Sequence, residues 1–490
     1  MADDKAKMND LQKLRRFFVL GNENGLYRVR CGGDGGFQPV VETAPIVTAL
    51  LAAGKGEEVV DEIIKFLTSN TTCTAYHTPA LFALAMCARH SDKSQKTKQS
   101  AMKGLATVCN STADLFQFIS FSQRLVESKK GWGRSLKTGA KLISKYLVKG
   151  LKAAQEEFGG EKTANEMQAT LTYLSAIEEL KDAKDTTLAV SLVEQHHLHP
   201  QQVTAQVLQE REVLVALVKQ LSLKEVLKMI GHLAAKLVFD PSNPAAADII
   251  QRVGDEQQVR QEKLSPFDVL VAMRVYEQGS ASMKWARNSA VVDALNSTFA
   301  TALKYNVTST KKRYLVAVNI NNQFMRCWVH GTKVLSPVIA VAGLAQVLAH
   351  TEQDPALAFF CKDVKPLSLT NTMQMPEICE EIAQRAAELE GSKVTCDVSA
   401  PVTWAQQAKK AFDVIIIMTD HRHAKASTDL STAFKQYRQT LKIPDAKLVV
   451  CGLTSTHLQF ADSEDPGMLD IAGFDATVPD VIHNFVTGSL

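Results

Sequence analysis

From Lys311 onward four apolar runs, RYLVAVNI, ALAFFC, DVIIIMTD and AKLVVCGL, alternate with helical patterns at Val334 to Ala349, Glu377 to Leu389 and Thr432 to Leu441. Each run has the length of a strand and no polar alternation, so both of its faces must be covered. Strands of that kind belong to parallel sheets flanked by helices. The pattern predicts a doubly wound α/β sheet, whose ligands lie beyond the carboxyl ends of its strands. Those ends are Asn319-Ile320-Asn321-Asn322-Gln323 and Thr419-Asp420-His421-Arg422-His423.

The chain before Lys311 reads differently. Phe17 to Cys31 reads as a short strand, a Gly/Asn turn and a second strand. Helical patterns then follow one another at Thr43 to Ala53, Glu57 to Leu67, Pro79 to His90, Leu115 to Glu127, Arg134 to Glu157, Glu166 to Leu180, Leu188 to His196, Val203 to Gln220, and on to about Tyr305. Ser222 with Glu225 makes a capping box, and Ser265 caps a helix that has Pro266 at its first position. Helices joined by short polar loops predict antiparallel pairs stacked as a HEAT-like solenoid. Residues 1–310 are thus expected to form a helical module and 311–490 an α/β domain, in keeping with the 490-residue length.

Charge separates the same two parts. Lys and Arg number 14 against 19 Asp and Glu from Val316 onward, and 41 against 33 before it. A polyanionic partner therefore belongs to the first part. From Lys129 to Lys152 there are eight basic residues and no acidic one. At helical spacing Arg134, Lys137, Lys141, Lys145, Lys149 and Lys152 share a face, with Leu136, Ala140, Ile143, Leu147 and Leu151 opposite. Such a face either reads phosphates or is simply solvated. Ordinary solvent faces mix signs to gain i,i+4 pairs, and this one does not.

Nine scattered cysteines without C-x-x-C spacing read as reduced core thiols of an intracellular protein. No apolar stretch is long enough for a membrane span, and the expected partners do not include a membrane. No phosphate loop and no nucleophile elbow is present, so an enzyme is not expected. His196, His197 and His199 could ligate a metal or cap a helix end; His421 and His423 beside Asp420 have the same two readings. Tyr27 and Trp132, next to basic residues, could stack on unpaired bases or fill a core.

LRRFFVLGNENGLY, TPALFALAMCA, GWGRSLK, SPFDVLVAMRVYEQG, KRYLVAVNI, KLVVCGLTS, DPGMLDIAGFD and VIHNF together resemble the Ro (SS-A) ribonucleoprotein autoantigen family over nearly the whole chain. The resemblance implies a TROVE module, a ring of HEAT-like repeats, followed by a von Willebrand factor A-like domain. It implies binding of small noncoding Y RNAs and of misfolded RNAs with single-stranded 3′ ends, and a role in RNA quality control without catalysis. Protein partners at the A-like domain and a place in the cytoplasm, extending to the nucleus, are separate expectations. Arg134, inside the matching W-G-R, carries over as an RNA contact. Lys130, Trp132, Lys137, Lys141, Lys145, Lys149 and Lys152 rest on the local charge pattern. A protein-interaction scaffold with reduced RNA binding is the second reading, because about forty family residues between the W-G-R and K-Y-x-x-K-G elements are absent.

A second departure concerns metal. The family's A-like fold holds a divalent cation through D-x-S-x-S, a threonine and an aspartate, since Mg²⁺ requires oxygen ligands with carboxylates among them. This chain has Asn319, Asn321 and Gln323 in the first loop and Asp420 in the third. Thr395 or its neighbour Cys396 takes the threonine place. The site is therefore expected to be degenerate and empty at physiological magnesium, with no cofactor.

Overall fold

The four apolar runs become the middle of a seven-stranded sheet in the computed structural model, which describes residues 8–23, 25–29, 40–69, 77–90, 95–109, 112–127, 172–173, 175–183, 185–279, 284–361, 363–389, 395–422, 424–425 and 429–490. The described strands are β1 (Leu26–Arg28), β2 (Tyr314–Asn319), β3 (Ala356–Phe360), β4 (Val364–Ser368), β5 (Cys396–Asp397), β6 (Val414–Thr419), β7 (Ala424–Lys425), β8 (Lys447–Gly452) and β9 (Met468–Ala472). The sheet order is β1-β9-β8-β6-β2-β3-β4, and β5 pairs separately with β7. All neighbours in the large sheet are parallel except β3 and β4. Every residue of β2 and β6 is buried, as continuous apolar runs require. Each buried Val, Leu or Ile there contributes roughly 1.5–3 kcal/mol relative to exposure.

Packing divides the chain into two compact units. One comprises 1–126 with 307–490, the other 127–306. The change of unit after Asn306 lies near the expected boundary at 310, while the first 126 residues group with the C-terminal sheet.

In the first unit, Phe17 to Leu20 is not the expected strand but the last turn of the helix Asp10–Leu20. A short apolar run does not distinguish a buried helical turn from a strand. The signal that does is an N-x-x-Q cap: Asn9 Oδ1 accepts from the Gln12 amide at 2.9 Å, and Gln12 Oε1 accepts from the Asn9 amide at 3.0 Å. Gly21, at φ 73°, closes the helix in the left-handed region. The second expected strand exists as β1, yet it joins no hairpin. It adds to β9 in parallel, Leu26 facing Asp470 and Arg28 facing Ala472. Arg16 supports this junction. It is 2% exposed and donates to the Ser463 and Met468 carbonyls, both at 2.9 Å.

β4 has no clear strand signature, because its Pro366 lacks a ladder donor; an edge strand tolerates this. The helix Lys96–Val108, which packs on Gly56–Ser69 and His77–Arg89, is likewise absent from the expected series.

In the second unit, Pro266–Gln278 packs on Leu223–Ala235 and on Ser289–Tyr305 around Leu227, Ile230, Val269 and Leu295. The expected capping box is present, with the Glu225 amide donating to Ser222 Oγ at 3.3 Å and the Ser222 amide to Glu225 Oε2 at 3.0 Å. Ser265 accepts from the Phe267 amide, also at 3.3 Å. Val203 to Gln220 is shorter as a helix than expected: a 3₁₀ turn at Val207–Gln209 precedes the helix Arg211–Gln220. Among the described residues no helix is long and apolar enough to cross a membrane.

Candidate functional site

The carboxyl ends of β2 and β6 meet where Asn319 Nδ2 donates to Thr419 Oγ1 at 3.0 Å. Asn319 is fully buried, and its Oδ1 accepts the Asn321 amide at 2.9 Å. Asn321 is buried too. Its Oδ1 accepts from the amides of Gln323 at 3.0 Å and Phe324 at 3.3 Å, capping the short helix Asn322–Met325. The loop after β2 is thus held by amide side chains whose carbonyl oxygens face backbone N–H groups. Asp420 lies alongside with 1% exposure, and Gln323 is exposed.

The second loop is fastened differently. Cys361, just after β3, and Cys396, in β5, form a disulfide. This corrects the reading of all nine cysteines as reduced thiols. The two are 35 residues apart, and only the adjacency of the strand ends brings them together. Cys87 and Cys451 are buried free thiols, as expected, and burial pushes the Cys87 thiol up to about 12. Thr395 is exposed while Cys396 is buried, so the sulfur and not the hydroxyl points inward.

Beyond β6, His421 is exposed and tied to Ser455, whose Oγ meets the His421 amide at 3.1 Å and Nδ1 at 2.9 Å. His423 lies outside the described residues. The loop at 326–335, which sequence reasoning passed over, crosses the same edge. His330 donates its amide to the Leu453 carbonyl at 2.8 Å and accepts the Phe474 amide at 2.8 Å, while Thr332 Oγ1 donates to the Phe474 carbonyl at 3.0 Å. Trp328 stands out from this loop at 61% exposure. Beside it, burial first and Asp420 second raise the Cys327 thiol, while Arg422 opposes them.

Other expected groups take structural places. Tyr27 is buried with its hydroxyl 2.9 Å from Thr477 Oγ1, which settles it as core. His197 ends the helix Thr186–His196 in the left-handed region, and its Nδ1 lies 3.2 Å from Gln220 Oε1. His199 Nε2 lies 2.7 Å from Glu225 Oε1. Among the described residues no group of three or more His, Cys, Asp or Glu is placed to hold a metal. Lys130, Trp132, Arg134, Lys137, Lys141, Lys145, Lys149 and Lys152 lie outside the described residues.

Residues 313–486 match the family model described as the Ro60 vWA domain. The domain is of the Ro60 vWA type. The family that the motifs resemble is the one matched. Over 588 aligned positions, 99% of this chain and 89% of the relative, it is 25% identical to RNA-binding protein RO60 of Caenorhabditis elegans. It is 29% identical to RNA-binding protein RO60 of Deinococcus radiodurans over 323 residues, 65% of this chain and 58% of that one. The crystal structure of the Deinococcus radiodurans RO (RSR) protein superposes with a TM-score of 0.78 at 23% identity, covering 98% of this chain and 100% of that one. That likeness establishes the fold: a helix-rich N-terminal region and an α/β domain of the vWA kind.

The donor set of this vWA edge fits Mg²⁺ poorly. Asp420 is the one carboxylate among the matching positions, and the Asn319 and Asn321 oxygens already accept backbone N–H groups. A ligand with millimolar or weaker Kd adds less than ~0.5 kcal/mol at 1 mM. Melting of the full chain should therefore shift by less than ~2 °C between EDTA and magnesium. The triple substitution Asn319→Asp, Asn321→Ser, Gln323→Ser restores a carboxylate and two hydroxyls, and should produce a distinct magnesium shift. Differential scanning calorimetry checks both; a large shift in the unmodified chain refutes the ligand argument. The full chain is the right sample, because an isolated C-terminal fragment would lack β1 and Arg16.

Proposed function

We propose that this chain is a non-catalytic RNA-binding component of a Ro-type ribonucleoprotein. It binds small noncoding RNAs of the Y type and the single-stranded 3′ ends of misfolded RNAs, in RNA quality control. The observation that carries this reading is the match along 99% of the chain to a relative named as an RNA-binding protein. The basic surplus of the first part, 41 cations against 33 carboxylates before Val316, supplies the electrostatics that an RNA partner requires.

Binding should be governed by phosphate contacts from the Arg134 to Lys152 face. If five or six of those side chains each neutralise one phosphate, log K falls against log salt with a slope of roughly −3 to −4, from about −0.7 per contact on single strands. Reversing charge at Lys141 and Lys145 should weaken structured and unstructured RNAs alike. Mobility shifts across a salt series test this. An affinity independent of salt, or unchanged in the double variant, removes the face from the binding surface. Protein partners without RNA would then remain as the scaffold reading.

A further inference from the structure

We propose that the carboxyl edge of the C-terminal sheet is a second nucleic-acid surface, on which Trp328 stacks an unpaired RNA base while flanking cations hold the adjoining phosphates. The proposal rests on the RNA-binding reading above and names a site that it does not include.

Four turns bring the residues to one edge. Arg326, Trp328 and Lys333 stand exposed on the loop after β2; His421 and Arg422 stand exposed after β6. Arg28, at the end of β1, places Nη2 3.3 Å from Nδ1 of the exposed His457 after β8. The turns interlock, since the loop after β2 is pinned to Leu453 and His421 is pinned to Ser455 two residues on.

Charge at this edge runs against the domain as a whole. From Val316 onward carboxylates outnumber cations by 19 to 14, yet the exposed charged side chains on the loops that carry Trp328 and His421 are the cations Arg326, Lys333 and Arg422. The carboxylates nearby are buried or engaged in their own turns. Asp420 is buried, Asp475 accepts the amide and hydroxyl of Thr477, and Asp397 accepts those of Ser399. Exposed Asp363 sits in the β3–β4 turn, on the flank away from β1. A cation-bridged acidic partner is a poor match for such an edge, whereas a polyanion is a good one.

Trp328 narrows the polyanion to one with aromatic faces. Its loop is fixed on both sides: the Val329 amide donates to the Leu335 carbonyl at 3.1 Å, and Gly331, at φ 100°, passes so close to Val29 that a Cβ there would overlap Val29 Cγ1. A large aromatic held out on a rigid loop loses little conformational freedom on binding. Every base offers a π-face, so stacking is sequence-tolerant, and unpaired nucleotides present it while duplexes do not.

The test uses the full chain and a uridine decamer carrying one 4-thiouridine. Photo-crosslinking followed by peptide mass spectrometry should place the adduct within 326–333 or 421–422. Trp328→Ala should weaken decamer binding on the order of tenfold, as loss of one stacked base does. Trp328→Phe should retain most of it. Arg326→Glu with Arg422→Glu should weaken binding and flatten the salt slope by roughly 1.4, from two lost contacts. The Trp328 variants should keep the wild-type melting temperature, because that side chain is exposed, and the double arginine variant is compared at a temperature where its own melting curve shows it folded. Adducts elsewhere, with wild-type affinity in both Trp328→Ala and the double arginine variant, overturn this site but leave the RNA-binding reading standing. Binding of polyglutamate at this edge in place of the decamer overturns it in favour of an acidic polypeptide. No binding of any RNA by the full chain overturns both readings.

Discussion

Arg16→Ala should destabilise the unit that contains it by about 3–5 kcal/mol. Its guanidinium is among the largest fully buried side chains, and burial pulls its pKa down to about 10 against the raising influence of Asp465 and Glu464. It is thus protonated at neutral pH. The alanine variant strips the donors from the Ser463 and Met468 carbonyls, removes a cation from beside Asp465 and Glu464, and opens a cavity. Arg16→Met keeps the volume without the donors and should lie between alanine and wild type. Urea denaturation followed by circular dichroism gives both values. A loss below ~1 kcal/mol for alanine would mean that β1 and its helix are not integral to the sheet.

Removing the cross-link should have an effect of similar size. Cys361 and Cys396 close a loop whose ends are 35 residues apart, and in the chain-entropy account a loop of that length restricts the unfolded chain by about 3–4 kcal/mol. The double substitution Cys361→Ser and Cys396→Ser should therefore lower the melting temperature of that unit by about 10 °C. A reductant should lower the wild type similarly and leave the double variant unchanged. Equal melting of oxidised and reduced wild type would show that the loop is held by its packing alone.

The α/β half was legible because an unbroken apolar run of strand length, met four times between helical patterns, fits a buried parallel sheet and little else. Its four central strands, the helices between them, and the importance of Asn319 and Asp420 as neighbouring strand ends follow from periodicity and topology. What escaped was non-local. Nothing in Leu26–Arg28 announces a partner at Met468–Ala472, and FFVL satisfies a helix or a strand until the Asn9–Gln12 cap is noticed. The disulfide escaped for the same reason, its spacing being set by fold geometry and not by sequence. At the candidate edge the loops at Asn319 and Asp420 were legible, but Trp328 was not, because a single exposed aromatic has no periodicity. In the helical half, caps at Ser222 and Ser265 were readable in advance, while the start of Arg211–Gln220 was blurred by a 3₁₀ turn that shares its apolar spacing.

The pairing of β1 with β9 also sets a schedule for synthesis. Arg16 and its acceptor at Met468 are 452 residues apart. At about 5–20 residues per second, a ribosome needs roughly 20–90 s to make the second after the first. Throughout that interval the apolar side chains of Leu26, Tyr27 and Val29, buried in the finished protein, have no sheet to join. Among the described strands, the first made is the one that waits for the last. Between the synthesis of the two segments the nascent chain therefore carries an unmatched apolar segment.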